Sequence, residues 1–175
     1  MPAHADGFQL ETLMAEMKAV RSSSAHFVEK KYDSLLSKPV ETSGTLKYVA
    51  PGWLERIAAP PRRDYMVVDH DTLSGIQPNG RPFFVTLSDH AEVAALVEGI
   101  RSTLAGDLAT LRRYYRTAFS GDRNAWQLIL TPLSEKVRDK VDLIRISGAG
   151  ASVKEIDTHE ADGDHSDMVV TPDGP

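Results

Sequence analysis

The residues best equipped for chemistry crowd towards the C-terminus: Asp157, His159, Glu160, Asp162, Asp164, His165 and Asp167. Carboxylates mixed with imidazoles could hold a divalent cation. Their spacing fits neither an EF-hand loop nor a helical His-Glu-x-x-His pair. In a strand, alternation sends His159 and Glu160 to opposite faces. The charges are therefore expected at a solvated sheet edge and hairpin tip, where they also discourage pairing with another chain. Asp69-His70-Asp71 reads as a turn and His90 as a surface residue near a helix start.

Other chemical motifs fare no better. Ser147-Gly148-Ala149-Gly150 lacks the third glycine of a dinucleotide loop, and a strand follows where a helix is required. No Gly-x-Ser-x-Gly elbow exists, and Phe119-Ser120-Gly121 does not supply one. The chain has no cysteine, which removes disulfides, thiolate metal sites and cysteine nucleophiles together. Net charge is -5, against the basic face a nucleic acid requires. No catalytic residue, metal ligand or cofactor is assigned, and nucleic acid is not expected as a partner.

What the sequence does offer is sheet. Val40–Ala50, Trp53–Pro60 and Asp64–Asp69 are rich in β-branched and aromatic residues, and Pro51-Gly52 and Pro60-Pro61 punctuate them. They read as an antiparallel meander. In its first strand Thr42, Gly44, Leu46 and Tyr48 share one pleat parity, and Ser43, Thr45 and Lys47 take the other, more polar one. A glycine within such a run marks a bend, and a sheet that bends can curl.

Around this meander, Gly7 to Ser22 is expected as a helix capped by Asp6 and Gln9, with Leu10, Leu13, Met14, Met17 and Val20 as its apolar stripe. Ser24–Tyr32 follows as a strand. Thr72–Gln77 and Arg81–Leu87 form a hairpin through Pro78-Asn79-Gly80. Ser88 or Asp89 caps a second helix carrying Val93, Leu96, Val97, Ile100 and Leu104, and Leu108 to Tyr115 continues as a shorter one. Strands Arg116–Ser120, Ala125–Thr131, Val141–Ser147, Ala151–Glu160 and Ser166–Thr171 complete the chain, giving about ten or eleven. A length of 175 residues, 41% hydrophobic and 26% charged, suits a single domain spanning residues 1–175. Ala3-His4-Ala5 has the form left by a signal-peptidase site, so residues 1–5 are read as a signal-peptide remnant of an exported chain.

One spacing pattern goes further. Gly44, then Pro51, Leu54, Arg56, Pro60 or Pro61, and Asp69 before Thr72-Leu73 resembles the LolA/LolB superfamily of lipoprotein carriers. The order of helix, long sheet, inserted helices and sheet resembles it too, over roughly Gly7 to Pro172. The resemblance implies an α+β fold: a half-open antiparallel β-barrel with an N-terminal helix and a helical lid over an apolar cavity. It implies a periplasmic carrier of lipoprotein acyl chains or other lipid, working as a monomer without cofactor or chemistry, between an inner-membrane donor and an outer-membrane acceptor. Phe27, Leu46, Tyr48, Leu54, Met66, Val68 and Phe83 would line the cavity, with Leu96, Val97 and Ile100 on the lid. Two positions depart from the family. Ala50 stands where an arginine commonly latches the lid, and Ser74-Gly75-Ile76 replace the usual aromatics after Thr-Leu. The rival reading is a module that uses the open sheet to grip a protein partner or regulatory lipid. An enzyme using the acidic histidine cluster with a metal is a third.

Overall fold

The computed structural model describes residues 7–174. Strands β1 (Ser22–Tyr32), β2 (Val40–Val49), β3 (Trp53–Ala58), β4 (Tyr65–Asp69), β5 (Thr72–Ile76) and β6 (Pro82–Thr86) form one wing and the centre of a single sheet. Strands β7 (Tyr115–Asp122), β8 (Ala125–Pro132), β9 (Val141–Ala149), β10 (Ser152–Glu160) and β11 (His165–Pro172) form the rest. All eleven pair antiparallel in the order β6-β5-β4-β3-β2-β1-β11-β10-β9-β8-β7. The long connection is closed by β11 pairing with β1, Phe27 opposite Val170. β6 and β7 end the sheet as unpaired edges, so the barrel stays open.

Helices α1 (Leu10–Ala19), α2 (Ala91–Ala105), α3 (Leu108–Tyr114) and α4 (Glu135–Arg138) complete the chain. α1 is shorter than expected. Its start is fixed by Thr12, whose Oγ1 accepts from the Gln9 amide at 3.4 Å and donates to the Gly7 carbonyl at 3.3 Å. The expected cap at Asp6, like the Ala3-His4-Ala5 remnant, lies outside the described residues. Neither Ser88 nor Asp89 caps α2, because Leu87–Asp89 forms a 3₁₀ turn and Ser88 donates its amide and hydroxyl to Asp71 instead. α2 stops at Gly106, whose φ of 68° is the left-handed cap that glycine takes without strain. Asp107 then caps α3 by accepting from the Thr110 amide. Tyr115, expected in a helix, begins β7, fully buried, and donates its hydroxyl to the Ala95 carbonyl of α2 at 2.7 Å.

Two apolar clusters hold the layers together. The larger joins Leu10, Leu13, Met14 and Met17 of α1 with Leu128, Leu130, Ile144 and Ile146 of the sheet, and Leu96, Ile100 and Leu104 of α2 pack against it. The smaller joins Val68, Leu87 and Ala94, with Leu54, Leu73, Val93 and Val97 around them. One side of α2 thus touches the β7–β10 wing and the other the β3–β5 wing. A sheet reached on both wings by one helix must curl around it. Met14 and Met17, soft chains suited to variable partners, are spent in this core.

Candidate functional site

Direct cross-strand partners share a face of a sheet, so the register decides which side chains meet. One row runs Tyr48, Leu54, Val68 and Leu73. The next runs Leu46, Arg56, Met66, Gly75 and Phe83. Phe27 lies opposite Gly44, which takes the same parity. All seven strand residues expected to face inward therefore lie on one face, and it is the face on which α2 packs.

The ten residues divide by what covers them. Leu54 and Val68 meet Val97 in the smaller cluster, while Leu96 and Ile100 turn to the larger one. Phe27 and Tyr48 are buried at 1% and 4% exposure. Leu46, Met66 and Phe83 are half-buried and stand outside both clusters. They form an apolar stripe below the part of the face that α2 covers, with side-chain-free Gly75 between Met66 and Phe83. None of the ten lines the cavity of about 250 Å³ between the β1–β2 loop and the β10–β11 turn, or the one of about 430 Å³ beside Phe8 and Arg123.

Sequence reasoning placed Arg56 in a spacing pattern and gave it no role. It stands inside the apolar stripe, and its guanidinium turns away from α2, 4.7 Å above the Phe27 ring. Nη1 donates to Asp64 and Nη2 to Glu29, each at 3.3 Å, and Arg62 Nε reaches the other Asp64 oxygen at 3.2 Å. The signal was available: Arg56 sits between Leu54 and Ala58 on the apolar parity of β3. Gly44 allows the arrangement, since a Cβ there would lie 1.9 Å from the Ile57 carbonyl oxygen and 2.9 Å from the Phe27 ring.

α2 is also tied to the strand turns by a polar contact. Ala50, where the resemblance would put an arginine, supplies no such contact, and the arginine comes from α2: Arg101 Nη1 donates to the His70 carbonyl at 2.5 Å. Its stem passes 3.0 Å from where a Cβ on Gly52 would sit, so it bridges the β2–β3 and β4–β5 turns. Buried Glu98 holds Arg101 through Nε at 3.0 Å and through Nη2, and accepts from Ser102 Oγ at 2.5 Å.

The acidic histidine cluster departs from expectation. β10 and β11 are interior strands, so the cluster is no sheet edge. Asp157 is 8% exposed on the face away from α2, opposite Asp167 and Arg145. Burial pushes its carboxyl up to about 6, with the Glu155 and Asp167 charges adding to the rise. His159 and His165 stack across the strands at 5.6 Å, and Tyr32 stacks on His165 at 4.5 Å. Glu160, Asp162 and Asp164 do come together at the hairpin tip, as expected of a tip, and Asp164 accepts from the Ser34 amide.

Comparisons with known proteins agree on the architecture. A domain of a putative outer membrane lipoprotein-sorting protein from Vibrio parahaemolyticus is 8% identical, with a TM-score of 0.52 over 92% of this chain and 88% of that one. A DUF1329 family protein from Desulfovibrio piger is 10% identical, with a TM-score of 0.53 over 93% and 88%. LolA superfamily protein NE2245 from Nitrosomonas europaea is 10% identical, with a TM-score of 0.44 over 97% and 96%. Comparison with curated proteins finds no match. At such identities the first two of these structures show the fold alone. The family described as outer membrane lipoprotein carrier protein LolA-like matches residues 3–172, so this chain belongs to that family.

Proposed function

We propose that this protein is a periplasmic carrier that shelters acyl chains of a lipoprotein or other lipid on the α2-covered face and passes them towards the outer membrane. The observation that supports this most is the stripe of Leu46, Met66 and Phe83, half-buried on the inner face yet belonging to neither cluster. Burying an acyl chain there yields about 0.8 kcal/mol per methylene and needs no exact polar contact. α2 rests on Leu54, Val68 and Leu73 beside the stripe, so a chain longer than the stripe is accommodated by α2 lifting from the β3–β5 wing while the β7–β10 wing keeps hold of its other side. The protein's part is binding, without a bond made or broken, between a donor at the inner membrane and an acceptor at the outer one.

Leu46→Glu places a charge in the stripe but outside both clusters. It should abolish uptake of a fluorescent acyl probe while leaving the circular dichroism of the sheet unchanged. Unchanged uptake would remove the stripe from the cargo site. The rival, a protein-binding module, is favoured by one feature: Phe84 is 68% exposed on the free edge strand β6, where a partner strand could add.

A further inference from the structure

We infer that the cluster of Arg56, Glu29, Asp64 and Arg62 is a headgroup site that selects acyl ligands whose polar end is uncharged, such as ester or amide carbonyls; this rests on the carrier reading above. Three observations carry it. First, the cluster flanks the apolar stripe: Arg56 is paired directly with Leu46 and Met66 within it, and its guanidinium reaches sideways to Phe27 and Glu29. A chain entering the stripe beside α2 would bring its polar end here.

Second, the charges balance. Two guanidiniums face two carboxylates in a partly desolvated setting, with side-chain exposures of 18% for Arg56, 25% for Glu29, 10% for Asp64 and 40% for Arg62. An added phosphate or free carboxylate would leave a net negative charge beside Glu29 and Asp64, and an added amine a net positive one. Either is costly where water screens poorly.

Third, donors remain. A guanidinium has five N–H groups, and among the described residues Arg56 gives only one from each terminal nitrogen. The Nε–H and two others are left for a neutral acceptor, without breaking either carboxylate contact. A purely structural ion cluster would share the first arrangement but would not discriminate among ligands.

The test is displacement of the apolar probe N-phenylnaphthylamine from the purified full chain. A monoacylglycerol, the fatty acid of the same chain length and the matching lysophosphatidic acid would be compared. The monoacylglycerol should displace the probe at concentrations at least tenfold below the two anions. Glu29→Gln, which leaves the cluster one positive charge in excess, should reverse that order. Arg56→Lys keeps the charge but loses the planar fork, and should weaken the monoacylglycerol about tenfold more than it weakens the probe. Equal displacement by all three lipids, with no change in Glu29→Gln, would overturn the headgroup site and leave the carrier intact. Failure of the wild type to take up probe or any of the lipids would instead sink the carrier reading, and the headgroup site with it.

Discussion

Arg101, on the helix that covers the sheet, donates to the backbone carbonyl of His70 in the β4–β5 turn. His70 holds a left-handed φ of 50°, with its ring Nδ1 2.6 Å from the Asp69 carboxylate. Besides the apolar contacts of Val93, Ala94 and Val97, the cover is thus fastened to the β3–β5 wing by a polar contact from Arg101, at the place where the carrier account has α2 lift.

Removing it should loosen the cover. Arg101→Ala strips the partner from buried Glu98, which typically costs about 3–5 kcal/mol. The double variant Arg101→Met with Glu98→Gln removes both charges and should recover most of that loss. In the double variant, amide hydrogen exchange should accelerate across α2 while β8 and β9 stay protected, and acyl probe should load faster. Unaltered exchange in α2 would mean that the contact fastens nothing.

Core and stripe should separate energetically. Leu128→Ala, in a fully buried position of the larger cluster, should cost about 2–5 kcal/mol in denaturant unfolding. Met66→Ala, half-buried and outside both clusters, should cost about 1 kcal/mol or less yet weaken probe binding severalfold. Equal stability losses would place Met66 in the core.

Asp157 supplies a pH test. Its carboxyl titrates near 6 when folded against an ordinary value of 3.8, so between those values the folded state holds the proton more tightly than the unfolded chain. The stability it contributes is fully present below about 3.8 and is lost as pH rises through about 6. Asp157→Asn, which imitates the protonated acid, should therefore raise Tm over wild type at pH 8, with the gap narrowing as pH falls through 6 towards 4. A gap independent of pH would show that the folded carboxyl is not shifted.

Much of the fold was legible because local signals agreed. Proline and glycine pairs bounded the strands, and the family resemblance implied that Phe27, Leu46, Tyr48, Leu54, Met66, Val68 and Phe83 face inward, a set the register does put on one face. What was not legible depended on distant partners. β11 closes onto β1, which buries Asp157 in the middle of the sheet although its own segment reads as a charged hairpin. Ser88 looks like a helix cap until Asp71 claims it. Arg101 and His70 are 31 positions apart, and nothing local to either announces the contact. Arg56 is the intermediate case: its parity betrayed it, but Glu29 and Asp64 had to be found by folding.

Gly44 tests the close packing behind Arg56. Gly44→Ala would drive its Cβ into the Ile57 carbonyl and the Phe27 ring, so stability should fall by about 1–3 kcal/mol, with loss of the stacking that orders Arg56. Unchanged stability would show that the β2–β3 spacing is not set there.

The most direct test of the central claim is native mass spectrometry of the protein recovered from a periplasm, compared with its denatured mass. The carrier account predicts an added mass that dissociates as a lipid or acylated species and is absent from Leu46→Glu. Bare protein alone, still bare after incubation with lipids and acylated lipoproteins, would contradict it and turn attention to the free β6 edge and a protein partner.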